Sequence, residues 1–337
     1  VALNLTLNFF ARESMMQCLF NLIFVLPKAN KAGDMVDMLE RMREFFPCKI
    51  IAIQLEECQG NSPLKKLFSE AEGNQKPSSE WVLIDASTSL ESAPFKVLKE
   101  LKADLPTYLF WGQDMAIKTP LLDTLESWSS RLIFNSEGSP HFAQMLRALE
   151  EHKLEQLIDL NWVKLGAWRQ AIAQCFDTKE KLRQLSLSKT IHIRYNRPVQ
   201  EEPSEILAIY LAGWLADRLS WSFQSLDHVD GNIRLTYSIG IEEVHLILSP
   251  QREEGCSASA ILALEVFSHE DVHFLMKKEK GGIRVSHSSK DLCAVPYTIT
   301  KGGQNHRLSL IHEIFLCPVS PHFKHTIKAL ANINWCP

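Results

Sequence analysis

LFNLIFVL at residues 19–26, GDMVDMLERMREFFP at 33–47 and CKIIAIQL at 48–55 decide the fold. The first segment is apolar throughout, as a strand covered on both faces must be. In the second, Met35, Met38, Leu39, Met42 and Phe45 recur at steps of three and four, which is one face of a helix. Asp34 stands where it can cap that helix, and Pro47 stops it. The third segment is again an apolar strand. Strand, helix and strand in this order predict a parallel pair joined by a right-handed crossover.

Working outward, Glu56–Ser79 reads as a long polar loop with one short helix near Leu64–Ala71. Strands follow at Trp81–Asp85, Thr107–Trp111 and Arg131–Asn135. Helices alternate with them at Ser92–Ala103, Pro120–Trp128 and Pro140–His152. The fold class is α/β, with an N-terminal doubly wound, mostly parallel sheet. A smaller α+β domain with mostly antiparallel strands follows. Leu182–Leu187 reads as a short helix or linker and Thr190–Tyr195 as a strand. Glu201-Glu202-Pro203-Ser204 precedes a strong helix over Glu205–Leu219. Strands are expected at Ile233–Ile239, Val244–Leu248, Ala260–Phe267 and Ile283–His287, and helices at Leu308–Phe315 and His322–Leu330. The expected domains are a Rossmann-like α/β domain without a Gly-rich turn over 1–155, a bridging strap and helix over 156–189, and the α+β domain over 190–337.

Of the 337 residues, 45% are hydrophobic and 23% charged, a globular balance. A net charge of -4 with no Lys/Arg cluster argues against a nucleic-acid groove. Met15–Leu26 is the most apolar run, too short to span a bilayer and better read as a buried strand, so no membrane partner is expected. The chain starts at Val1, which leaves a preceding segment open. The eight cysteines form no C-x-x-C pair, and most lie in apolar runs. Buried thiols of this kind suit a reducing, cytoplasmic compartment.

DLNWVKLGAWRQAIAQCF, Asp159–Phe176, stands out near the middle of the chain. Leu165, Trp168, Ile172 and Cys175 mark one apolar helix face. Gly166 is placed as an N-cap, and DLNWVKL reads as an extended entry segment. The stretch resembles the D-L-x-W-x-[RK]-L-x-x-W-R signature of the glucose-6-phosphate dehydrogenase assembly protein family, the OpcA family. Asp159, Leu160, Trp162, Lys164, Leu165, Trp168 and Arg169 fall on it. Leu105-Pro106 with Trp111 resembles the family's L-P-x-x-x-W-W segment, with Phe110 in place of the first Trp. Gly213-Trp214-Leu215 with Arg218-Leu219 resembles its W-L-x-x-R-L helix. Gly166-Ala167 stands where members often carry Thr-Pro, which marks a divergent member.

The resemblance implies a non-catalytic cytoplasmic protein, without cofactor, that binds glucose-6-phosphate dehydrogenase and assembles or allosterically activates it. Asp159, Trp162, Lys164, Trp168, Arg169, Trp214, Arg218 and Trp111 are then the partner-binding or domain-bridging candidates. By residue type alone two accounts of them stand. Trp and Arg are the usual hot spots of protein interfaces. The tryptophans also suit core packing, with Asp159 and Arg169 as an internal ion pair.

Other chemistry has less to rest on. His269-Glu270-Asp271-Val272-His273 satisfies H-E-x-x-H, in which two His one helical turn apart bind zinc and the Glu activates water. The charged Asp271 and the strand-like alternation of VHFLMKK count against it, and no third ligand follows. His322 and His325, one turn apart, read as surface residues. The turn Pro27–Gly33 lacks a phosphate-cradling glycine pattern, and Asp34 would repel an anion there. Gly255-Cys256-Ser257 offers a thiol without an evident base. Two alternatives remain. One is an enzyme or sensor for a small phosphorylated sugar metabolite, using Asp85 and Trp111–Asp114 at the strand ends. The other is a zinc hydrolase at His269 and His273.

Overall fold

The computed structural model describes residues 18–26, 46–55, 79–153, 155–198, 204–268, 271–290, 294–300, 312–315 and 317–335. The expected helix at Asp34–Phe46 (but for Phe46), the turn Pro27–Gly33, the short helix at Leu64–Ala71 and the start of the helix at Leu308–Phe315 lie outside them. The chain divides into two compact units, residues 1–113 with 118–134, and residues 114–117 with 135–337. No described helix is long and apolar enough to cross a membrane.

The first unit is built on β1 (Asn21–Val25), β2 (Cys48–Gln54), β3 (Ser79–Asp85), β4 (Thr107–Trp111) and β5 (Arg131–Phe134), which run in the order β3-β2-β1-β4-β5. All these pairings are parallel. The helices α1 (Ala93–Glu100) and α2 (Pro120–Ser127) belong to it. The doubly wound α/β expectation therefore holds. Central β1 explains itself: Leu22, Ile23, Phe24 and Val25 are all 0% exposed. Its one polar residue, Asn21, is equally buried, and its amide is fully used. Asn21 Nδ2 donates to Lys102 O at 2.9 Å and Thr107 Oγ1 at 3.2 Å, while Oδ1 accepts from Lys102 N at 3.1 Å. A buried amide must be satisfied in this way.

In the second unit, α3 (Phe142–Glu151) and the short β6 (Leu157–Asp159) lead into α4 (Leu160–Lys164), α5 (Gly166–Cys175) and α6 (Lys179–Ser186). Then come β7 (Ser188–Asn196), α7 (Ile206–Arg218), β8 (Ser222–Val229), β9 (Asn232–Ile239), β10 (Glu242–Gln251), β11 (Ile261–Ser268), β12 (His273–Glu279), β13 (Gly282–Ser288), β14 (Tyr297–Thr300) and α8 (Pro321–Ala331). An eight-stranded sheet forms in the order β14-β13-β12-β11-β7-β10-β9-β8. It is antiparallel except where β10 pairs with β7. Strands β6, β8 and β14 are additions to the sequence reading. β8 alternates weakly and is mostly exposed, so periodicity does not reveal it.

Helix α7 is buried on every side from Ile206 to Ala216, because it packs against both β7 and α8. Gly213 permits the approach: a Cβ there would meet Leu330 Cδ2 at 2.7 Å and Cγ at 2.8 Å, and Leu330 is itself 0% exposed. Gly213→Val should therefore destabilise the second unit by about 1–3 kcal/mol through overpacking. An unchanged urea midpoint for this variant would mean that α7 and α8 are not held at this spacing.

Candidate functional site

Asp159 to Lys164 corrects the sequence reading. The segment is not an extended strap, because α4 begins straight after β6. Asp159 is its N-cap, accepting from Asn161 N at 3.0 Å. A capping Asp before a helix is a sequence signal, outweighed in our reading by the shortness of the helix it starts. Leu165, not Gly166, occupies the N-cap position of α5. Trp168, Ala171, Ile172 and Cys175 form the buried face of α5.

Asp159 is 0% exposed and organises a polar network. It also accepts from Ser136 N at 3.2 Å. Asn161 Nδ2 donates to Asn135 Oδ1 at 2.8 Å and Ser136 Oγ at 2.9 Å. Lys164 Nζ donates to Asn161 Oδ1 at 3.0 Å and lies 3.7 Å from Glu137, whose other carboxylate oxygen accepts from Ser259 Oγ at 2.5 Å. The Tyr210 hydroxyl faces Asp159 and Ser136. Burial pushes the Asp159 carboxyl above its usual range, against the pull of these donors. Burial, and then the charge of Asp159, pushes the Tyr210 hydroxyl well up.

The direction at Asp159 fixes a pH dependence. A carboxyl whose folded pKa is raised binds its proton more readily when folded. Its contribution to stability is greatest below its unfolded value and declines as pH rises through the raised one. Asp159→Asn should remove that decline. Wild type minus variant, measured as unfolding free energy against pH, should slope downward from about pH 4. A flat difference would show that Asp159 titrates alike folded and unfolded.

Arg169 lies beside this network. Its Cζ sits 3.9 Å from the Trp162 ring centroid, and Nη1 donates to Trp162 O at 2.7 Å. Nη2 lies 3.7 Å from Glu313. The expected Asp159–Arg169 ion pair does not form: Asp159 Oδ1 accepts from the Ser136 and Asn161 backbone N–H groups, and the carboxylate beside Arg169 is Glu313. Burial lowers the Arg169 pKa to about 10, with Glu313 opposing the shift. Burial raises that of Glu313, with Arg169 opposing. At Gly166 a Cβ would come within 3.3 Å of Glu313 Oε2, so glycine leaves this carboxylate its room.

Trp162 is also an aromatic hub. Its ring centroid is 5.3 Å from Phe323 and 6.4 Å from Tyr210. Phe142 extends the cluster, 6.1 Å from Tyr210 and 5.4 Å from Trp335. Trp162, Trp168 and Trp214 are all buried, whereas the Lys164 side chain is 46% exposed and Arg218 reaches solvent. Trp111 is buried in β4 of the first unit. Tyr210, Phe323, Ser136 and Glu313 are members that sequence reasoning missed.

The alternative sites look different. The helix that H-E-x-x-H needs is not formed, since Asp271 has φ 55° and His273 opens β12. His273 stacks on Phe267 at 4.6 Å, with Nε2 4.0 Å from Glu265. His269 and Glu270 lie outside the described residues, among which no group of three or more His, Cys, Asp and Glu gathers to hold a metal. His322 and His325 both lie on α8, and burial lowers the pKa of His322. At the carboxyl ends of the parallel strands, Asp85 accepts from Ser87 N and Oγ in its own turn. Gln113 Nε2 donates to Leu26 O, joining the chain beyond β4 to the end of β1.

Comparison with known proteins bears on the second unit. Residues 155–266 match a family model for the C-terminal domain of a glucose-6-phosphate dehydrogenase subunit. The OxPP cycle protein OpcA of Synechocystis sp., so described provisionally, is 26% identical over 163 residues, 48% of this chain and 31% of that protein. Its counterpart in Synechococcus elongatus is 29% identical over 138 residues, 40% of this chain and 30% of that protein. The chain spans about a third of the length of the curated relatives it matches. Among solved structures, a 3-ketoreductase from Actinomadura kijaniata in complex with NADP and TDP-benzene has a TM-score of 0.55 at 9% identity, covering 93% of this chain and 96% of that one. A provisionally described oxidoreductase from Magnetospirillum magnetotacticum MS-1 has a TM-score of 0.52 at 11% identity, covering 94% and 99%. At such identities the likeness is of fold alone. Asp159, Trp162, Lys164, Trp168, Arg169, Trp214 and Arg218 all fall within the family match, and Trp111 lies outside it. By this match and these relatives, residues 155–266 resemble a glucose-6-phosphate dehydrogenase subunit domain, and about half of the chain is similar to OpcA proteins.

Proposed function

We propose that this protein acts by binding glucose-6-phosphate dehydrogenase in the cytoplasm, as an assembly factor or allosteric activator without catalysis of its own. The observation that carries this reading is the match of residues 155–266 to a domain described as part of a subunit of that dehydrogenase. The geometry supports a division of labour. The buried tryptophans and the Asp159 network, with Lys164 paired to Glu137 within it, hold α4, α5 and α7 in shape, while the exposed Arg218 offers charge to a partner. A partner with higher affinity for the active oligomer shifts the population toward it by that difference in affinity.

The test is a binding titration and a substrate-response curve for the dehydrogenase of the same organism, with and without this chain. The reading expects saturable binding together with a shifted substrate response. Binding without any change in response would reduce the role to assembly. No binding at low or high salt would remove the reading.

A further inference from the structure

Exposed apolar surface concentrates on the outer face of α1. The helix turns Ala93 and Val97, both 0% exposed, inward, and it packs against β2, β3 and α2. A helix covering a sheet normally shows solvent a polar outer face. Here Phe95 is 71% exposed and Leu98 54%, one turn apart, and Leu90 in the preceding turn is 46% exposed. No other described helix exposes two large apolar side chains.

Charge flanks this patch. Lys96 and Lys99 are exposed on α1, and neither has a carboxylate within salt-bridge distance among the described residues. Lys96 Nζ reaches only Asp85 O, at 3.4 Å. The neighbouring charges are already matched, Lys102 by Glu80 at 2.5 Å and Glu100 by Lys49 at 3.0 Å. Glu91, at the N-terminal end, is the opposing charge. Phe and Leu between two exposed cations that no described carboxylate matches complement an apolar groove rimmed by carboxylates. A second copy is a poorer occupant, because a two-fold pairing through α1 brings the same lysines together.

We propose that α1 is a contact element for the dehydrogenase, seated by Phe95 and Leu98 in an apolar groove with Lys99 facing a carboxylate. This rests on the function proposed above and adds a surface outside residues 155–266, where the family match ends.

The experiment titrates labelled dehydrogenase with wild type, with the double variant Phe95→Ser/Leu98→Ser and with Lys99→Glu. Because these side chains are exposed, folding should survive, which circular dichroism and a urea midpoint check. The double variant should weaken binding about 30-fold or more. Lys99→Glu should weaken it about threefold or more and reduce its salt dependence. If wild type binds and both variants bind within about twofold of it, α1 is not a contact and the proposed function stands. If wild type does not bind at any salt concentration, the function and the role of α1 fall together. Sedimentation supplies a further arm. Self-association lost in the double variant, with unchanged dehydrogenase affinity, would make a second copy the occupant and overturn the proposal.

Discussion

Replacing Trp162 by alanine is expected to lower the unfolding free energy of the second unit by about 3–5 kcal/mol, the range for large aromatic side chains removed from a core. Three features of the site put it there. The side chain is 3% exposed, so its area leaves water on folding. Its ring meets Phe323 at 5.3 Å and Tyr210 at 6.4 Å, so the cavity would open between α4, α7 and α8 rather than at an edge. It also carries Arg169 on its face at 3.9 Å, and truncation leaves that partly buried guanidinium without its ring. Trp162→Phe should recover most of the loss, because Trp162 Nε1 has no acceptor among the described residues and a smaller ring strands no hydrogen bond. Urea unfolding of the full chain, read on the second unit's own transition, checks this. A deficit below about 1 kcal/mol for the alanine variant would mean that the three helices collapse onto the gap and that Trp162 is not the hub.

Much of the fold is legible because its strongest signals are local. Apolar strands such as β1, β2 and β4 announce themselves by composition, and α7 by an unbroken run of apolar residues capped by nothing but its length. What escapes is of two kinds. Short elements such as β6 and α4 have too few residues to establish a period, and the capping Asp159 alone had to signal α4. The partners of the signature residues are also distant in the chain. Arg169 could be expected to pair, but nothing in its neighbourhood names Glu313 over Asp159. Ser136, Asn161 and Tyr210 are ordinary residues in sequence. They become a network only where β6, α4 and α7 converge.

The Arg169–Glu313 pair separates stability from function. Arg169→Ala should cost about 2–4 kcal/mol, from a lost cation–π contact, a lost charge-assisted hydrogen bond to the Trp162 carbonyl and a stranded carboxylate. That is short of the cost for a fully buried pair, because Glu313 keeps 35% of its side chain exposed. Burial disfavours the charged form of both partners, lowering the Arg169 pKa to about 10 and raising that of Glu313. The signs agree in effect. A base with a lowered folded pKa is relieved only as pH rises through about 10, and an acid with a raised one only as pH falls toward its unfolded value. Near neutrality both desolvation penalties are therefore in force, and packing alone would not select the pair. Arg169→Met with Glu313→Leu should return stability to within about 1 kcal/mol of wild type, since an apolar pair of similar volume removes both penalties. If the double variant folds as well as wild type yet no longer binds the dehydrogenase, the pair is retained for recognition. If it both folds and binds like wild type, the pair serves neither purpose. If it unfolds like Arg169→Ala, the guanidinium on Trp162 is what holds α4 and α5 together, and the charge on Glu313 is incidental.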